Sequence, residues 1–327
     1  MPISQLPRIR NCSPSDIWHQ YIVREQPIVI EDACNSWPAV AKWDSKYLIS
    51  VVGDVGCPIL DVSLPKNDTE LPKMEICPLH EYLARLPSAK FGDPYLQEAP
   101  VKRLFPQLLE DLGPPCYSRE GSPDYLMLLS ARSYSPLHFH RISEAVSYQI
   151  AGTRRFLLVP PSETSKLDPL PKTGRYYYRA RREVKESEID TLDVSGFQAT
   201  LAPGEAVYIP VHWWHAVYGG DNLSILLVDF FYSPPARWPE SENASRVHGT
   251  QPALLEEIRS LKNRIDNCKV PKEQLSYWDR IFHLACTGIV DREVERQFLL
   301  DALERLPQTA RELRDYASDR LSKLVCS

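Results

Sequence analysis

The sequence predicts a mainly β protein with flanking helices: a double-stranded β-helix, or jelly roll, followed by a C-terminal helical region. Three observations predict it. From Tyr125 to Tyr232, short apolar runs alternate with turn signals (Tyr125–Leu129, Ala145–Ile150, Arg155–Val159, Ala206–Ile209 and Leu223–Phe231) and no helical stripe interrupts them, which is the pattern of a sandwich or barrel. Prolines outnumber glycines by 29 to 13; proline shortens strands and breaks helices, so the composition argues against a bundle. Beyond about residue 235 the pattern changes, and Leu254, Ile258, Leu261 and Ile265 recur at helical spacing. The chain therefore divides into a domain over 1–235, with a helical and irregular preface over 1–124 and the β core over 125–232, and a helical region over 236–327.

Taken in order, Ser15 and Asp16 cap a first helix through Trp18 and Tyr21, and Pro27–Ile30 is a β-branched strand. A turn at Asn35–Ala39 leads into a second helix carrying Trp43, Tyr47, Leu48 and Val51. Residues 64–124 are broken by prolines and hold two short helices, near 78–86 and 101–112. After the β core, helices are expected over 272–286, 291–305 and 308–325, with Gly288 and Pro307 as stops. This tail either packs on the barrel or pairs with a second copy as a homodimer.

Bulk properties exclude several classes. A net charge of -5 lacks the overall basic footprint of a nucleic-acid binder, although a local basic patch, and with it a nucleic-acid partner, stays open. No apolar run is long enough to span a bilayer and the N-terminal residues lack the apolar core of a signal peptide, so no membrane partner and an intracellular, cytoplasmic location are expected, the nucleus remaining open. The eight cysteines form no C-x-x-C pair and are expected to be reduced and structural. There is no G-x-S-x-G elbow, P-loop or dinucleotide fingerprint.

The chemistry concentrates in histidines. Of eight in the chain, four cluster within the strand region: His138 with His140, and His212 with His215. Side chains alternate along a strand, so an i, i+2 pair projects from one face and can chelate one ion. His215, which follows the stretch Gly204–Pro210, read as a strand ending in a turn, supplies a third point. A lone histidine is more often a satisfied core or surface residue than a ligand, and it is the joint pattern that points to a metal. His212, in a turn beside Trp213 and Trp214, is expected at the rim, and His19, His80, His248 and His283 carry no functional expectation.

The segments Ser135–His140, Ala151–Pro161 and Pro210–Val217, with Pro27–Ile30, Trp37–Ala39 and Trp43 upstream, resemble the JmjC-type, cupin-8-like family of Fe(II) and 2-oxoglutarate oxygenases, over about residues 14–232. The resemblance implies that His138 and His215 are the first and last iron ligands. It departs from the family at the residue two beyond the first histidine, usually Asp or Glu and here His140. Arg154 stands where the family usually places a lysine for the distal carboxylate of 2-oxoglutarate, keeping the charge and adding a fork of donors. Ser135 fits a hydroxyl that supports the same carboxylate. Asp229 stands at a cosubstrate position commonly held by asparagine, and one residue more than expected separates His138 from Gly152.

A second resemblance, to the motifs of cupins at large, adds Glu144 through the string His138-x-His140-x-x-x-Glu144, making a site of three histidines with Glu144 as a further ligand; an exposed carboxylate at a strand edge is the open alternative for Glu144. A three-histidine site leaves more positive charge on the ion and admits Mn, Cu, Ni or Zn as well as iron. In the resembled family the insertion between the two motifs lies over the site mouth, so Arg175–Arg182 is a candidate substrate grip; a solvated cationic strand balanced by Glu183, Glu186, Glu188 and Asp190 is the plainer reading. Three functions stay open: an Fe(II)/2-oxoglutarate hydroxylase consuming O2 and acting on a peptide, an RNA base or a small metabolite; a three-histidine metalloenzyme independent of 2-oxoglutarate; and a catalytically degenerate binding or scaffold protein on the same fold.

Overall fold

The protein is described from a computed structural model, which covers residues 3–63, 72–118, 123–140, 143–170, 176, 178–231, 251–267, 274, 277–278, 281, 292–308 and 310–325. Fourteen strands occur among the described residues: β1 (Ile3–Gln5), β2 (Arg8–Ile9), β3 (Ile28–Ile30), β4 (Gly56–Leu60), β5 (Met74–Pro78), β6 (Tyr95–Pro100), β7 (Leu126–Ser130), β8 (Tyr134–His138), β9 (Glu144–Ala151), β10 (Arg154–Val159), β11 (Gly196–Leu201), β12 (Ala206–Ile209), β13 (Trp214–Gly219) and β14 (Ser224–Phe231). They form a five-stranded sheet in the order β1-β11-β10-β13-β8 and a nine-stranded sheet in the order β2-β3-β12-β9-β14-β7-β6-β4-β5. Successive strands such as β9 and β10 fall in different sheets, which is the wrapping of a double-stranded β-helix.

The β9–β10 connection shows why the chain can cross so tightly. Gly152 takes φ +66°, and a Cβ there would meet the Leu223 carbonyl oxygen at 2.3 Å. Only glycine fits both demands without strain. The turn delivers Arg154 to the start of β10, opposite Gly219 of β13.

The preface is more regular than its prolines suggest. In place of the irregular stretches expected between its helices, β4, β5 and β6 extend the large sheet from β7 outward, beside the helix Leu79–Arg85. The amides of Leu79 and Asp61 bond to the carbonyls of Val55 and Lys73, so odd-numbered pairs carry the β4–β5 ladder and Pro58 and Pro78 fall between them, where that ladder asks for no donor. The β core likewise contains three strands the apolar runs do not reveal, β8, β11 and β13, and short 3-10 turns at Pro161–Lys166 and Glu186–Thr191.

Two compact units emerge, one over 1–140, 144–169 and 179–231, the other over 141–143, 170–178 and 232–327. In the first, one core joins the strands to preface residues such as Trp37, Trp43 and Tyr117. In the second, Ile258, Leu261 and Ile265 of the helix Gln251–Asn267 are buried with Trp278, Ile281, Leu299 and Ala302, and the helices Arg292–Arg305 and Arg311–Val325 follow. Three residues of the expected apolar stripe are thus covered within this core, and the side chain of Leu254 lies outside the described residues. Most of the helix expected over 272–286 lies outside the described residues, as do His248 and His283.

Candidate metal centre and anion pocket

Strand register builds the site. His138, the last residue of β8, is directly opposite His215 of β13. Their ring centroids are 4.2 Å apart, and His140, just past the strand, brings its ring within 4.5 Å of His215 and 5.7 Å of His138. One ligand atom from each of the three imidazoles lies within 4.8 Å of the others. Nitrogens bound to one ion at about 2.0–2.1 Å are roughly 3 Å apart, so a small inward rotation closes the set.

The hydrogen bonds indicate which nitrogens face the ion. His138 Nδ1 is 2.7 Å from the Pro136 carbonyl and His215 Nδ1 is 2.9 Å from the Trp213 carbonyl. Each therefore donates from Nδ1 and leaves Nε2 as the lone-pair nitrogen, the tautomer a metal requires. His140 differs, because its Nδ1 is buried with no hydrogen-bond partner. Desolvation is the main force on all three. It takes the His138 imidazole down to about 4 and His140 to about 3, and holds His215 well below the ordinary range; the Arg179 charge adds at His138, and neighbouring imidazoles add at His140 and His215. The three rings are neutral at pH 7 and ready to ligate. An orphaned buried nitrogen beside two oriented imidazoles fits a bound metal ion.

The second part of the site lies deeper between the sheets. Arg154 is buried; its Nε donates to Ser224 Oγ at 3.1 Å, and its Nη2 to Ser130 Oγ at 2.9 Å and the Leu128 carbonyl at 3.3 Å. Its Nη1 has no partner, and no carboxylate among the described residues pairs with this guanidinium. Burial lowers its pKa, with the hydroxyls of Tyr95 and Tyr82 as the only opposing influences. Ser135 accompanies it, its Oγ 2.6 Å from the Tyr95 hydroxyl. Arg154 lies opposite Gly219, four residues along β13 from His215, or about 13 Å of strand. A long side chain at one end and a metal at the other leave room between for a short dianion. A buried guanidinium with one idle donor fits a carboxylate.

A bulge lets both ends share this interior. Two steps along β13, from His215 to Val217, correspond to three along β8, from His138 to Ser135. The extra residue on β8 turns Ser135 and His138 to the same side although they are three apart, which simple alternation forbids.

Sheet faces separate the other expected site residues from this centre. On β14, Ser224 meets Arg154 and the Phe230 ring lies 4.9 Å from His140, so even-numbered residues face the interior. Asp229 is on the other face, accepting a 2.7 Å hydrogen bond from the Tyr117 hydroxyl. Glu144 lies opposite Phe231, also on the outer face, and accepts from the Tyr208 hydroxyl. Neither joins the histidine cluster or reaches Arg154; parity of the pleat, which depends on register, decides the matter. His212 is buried and not at a rim, with φ +64°. In the Arg175–Arg182 segment, Arg179 is also buried, its guanidinium held by the Val62 and Ser63 carbonyls and its backbone bridged to His138. It serves the wall of the site, while Arg181 pairs with Asp168 at 3.7 Å; Arg175 and Tyr177 lie outside the described residues.

Sequence reasoning missed Tyr95, a buried hydroxyl at the anion pocket. Its strand hides between Pro94 and Pro100 and carries only a short apolar alternation. Tyr82, whose hydroxyl donates to the Leu129 carbonyl at 2.9 Å, and Ser130, which accepts from Arg154, were likewise invisible without pairing.

With this geometry established, comparison with known proteins gives a consistent result. A family model described as a cupin-like domain matches residues 14–237. Among curated relatives, Lysine-specific demethylase 8 of Xenopus tropicalis is 24% identical over 229 residues, covering 65% of this chain and 49% of that protein. Arginine-specific demethylase JMJ22 of Arabidopsis thaliana is 22% identical over 317 residues, covering 83% of this chain and 59% of that protein. Jumonji C domain-containing protein 5 of Drosophila melanogaster is 28% identical over 210 residues, covering 59% and 51%. The chain thus spans about half the length of these relatives. No described helix is long and apolar enough to cross a membrane. The extent of the family match, laid over two facing sheets that converge histidines at one end, shows that the chain belongs to the cupin-like, JmjC-type family.

Proposed function

We propose that the chain is a metal-dependent oxygenase of the Fe(II)/2-oxoglutarate type, working in an intracellular setting. The observation that carries this reading is Arg154, a buried guanidinium with an idle donor and no carboxylate partner among the described residues. Burying an uncompensated charge is costly, and a dicarboxylate reaching from the metal would supply the missing anion. His138, His140 and His215 would hold the ion, and Arg154, Tyr95 and Ser135 would bind the far carboxylate. When bound, iron and 2-oxoglutarate would supply the oxidising power for hydroxylation of a C–H bond. The protein's own part is to orient His138 and His215 through their Nδ1 bonds and to keep the dianion out of water. The substrate is a peptide side chain, an RNA base or a small metabolite; relatives named for lysine and arginine make a basic peptide the first class to try.

The test is anaerobic reconstitution with Fe(II), followed by exposure to O2 with 2-oxoglutarate. Succinate formation that vanishes in His138→Ala and falls steeply in Arg154→Met is expected. Metal binding with no 2-oxoglutarate affinity in the wild type would refute the cosubstrate assignment. A second reading, a three-histidine metalloenzyme in which substrate ligates the ion directly, is favoured by one observation: Glu144 and Asp229 face away, so the described ligand set is neutral. Retention of Fe(II) and O2 consumption without 2-oxoglutarate would select it. Failure to retain any metal would select a binding protein on a degenerate fold.

A further inference from the structure

His212 lies in the turn Pro210–Trp213, whose closing bond runs from the Trp213 amide to the Pro210 carbonyl at 3.3 Å. That turn touches two of the three histidines above. The Trp213 carbonyl accepts from His215 Nδ1 at 2.9 Å, and the His212 amide donates to the His140 carbonyl at 3.1 Å. The second contact is the more consequential. His138 and His215 each have an imidazole hydrogen bond that fixes the ring, whereas His140 Nδ1 has none. The backbone of His140 is thus steadied from across the site. To make that bond His212 adopts φ +64°, a left-handed conformation in a buried residue. Non-glycine residues rarely hold this conformation unless the surroundings enforce it, and such outliers gather at functional sites.

We propose that His212 is a positioning residue that sets His140 for metal binding through its left-handed backbone and not through its imidazole. This rests on the metal reading above. The inference separates side-chain chemistry from backbone conformation, and substitutions can do the same. Glycine adopts the left-handed region freely and asparagine tolerates it; a β-branched residue resists it. If valine forces the turn to relax, the amide withdraws from the His140 carbonyl, and metal binding must then restore the geometry at its own expense.

The experiment is an anaerobic titration of the full chain with cobalt(II), read by its visible absorption, together with thermal melts of the metal-free proteins. His212→Gly and His212→Asn should bind cobalt within about threefold of the wild type and give the same absorption envelope. His212→Val should bind roughly tenfold more weakly or worse, with a changed envelope. If His212→Val does not fold, His212→Ala takes its place, with a smaller loss in the same direction that His212→Gly does not share. Glycine and asparagine variants as impaired as valine would show that the imidazole matters and overturn the proposal. So would a folded valine variant with wild-type affinity. His138→Ala and His215→Ala are the separate control: if they too bind cobalt as the wild type does, it is the metal site itself that fails.

Discussion

Replacing Arg154 with methionine sets stability against ligand affinity in opposite directions. The guanidinium is buried, with four hydrogen bonds to neutral oxygens, one idle nitrogen and no carboxylate among the described residues. Neutral acceptors return only part of the desolvation cost, and replacing buried charge by an apolar side chain of similar length is commonly neutral or stabilising by about 1–4 kcal/mol. At about 2–4 °C per kcal/mol for a domain of this size, the metal-free variant should melt at the wild-type temperature or several degrees above it. The same substitution should weaken 2-oxoglutarate binding in the manganese-loaded protein by roughly two to three and a half orders of magnitude, the equivalent of about 3–5 kcal/mol for removing one partner of a buried pair. Differential scanning fluorimetry and calorimetric titration, both anaerobic, measure the two effects. A variant that melts far below the wild type while binding 2-oxoglutarate normally would show that Arg154 is a structural residue, and the case for an anion pocket would fall with it.

Other expectations are narrower. His140→Ala should reduce cobalt(II) affinity by at least about a hundredfold, beyond the effect typical of residues that only orient a ligand, whereas His140→Asp should retain the ion; equilibrium dialysis decides between them. The metal-free protein should lose stability as pH falls from about 6.5 towards 4. In that window the unfolded chain takes up protons on histidines that the fold holds neutral, His138 down to about 4 and His140 to about 3, so the unfolded state gains. Above pH 7 these groups contribute no slope. Urea denaturation across pH 4–7.5 should show the decline, and His138→Gln should flatten it. Tyr95→Phe removes the hydroxyl bonded to Ser135 and should weaken 2-oxoglutarate binding by roughly three- to tenfold, about 1 kcal/mol. Gly152→Ala places a methyl 2.3 Å from the Leu223 carbonyl at a left-handed position, and should lower stability by more than about 1 kcal/mol on chemical denaturation.

The sequence disclosed the parts of this site that depend on local chemistry. Two histidines at strand spacing and a third after a glycine-opened strand are visible because alternation operates within a few residues. Arg154 is visible only through the family resemblance, standing two residues past Gly152 where a lysine is usual. What stayed hidden depends on partners far along the chain. Glu144 and Asp229 are near the right motifs, but the face they occupy follows from their pairing with each other's strand, and no short string encodes that. Tyr95 belongs to a strand that proline composition disguises, and it meets Ser135 forty residues later. His212 carries no local sign of its conformation: histidine is several-fold enriched at positive φ, but such residues are only a few per cent of the whole, so residue type alone does not mark this one.

The single extra residue in β8 has an evolutionary corollary. Without Leu137 the two residues would stand two apart and a regular ladder would still turn both inward, whereas three steps on a straightened strand would turn one of them out. The insertion is thus tolerated only together with the bulge that absorbs it. Relatives aligned by their histidines should carry the hydroxyl either two residues back on a regular strand or three back on a bulged one, and both spacings keep the two half-sites in register.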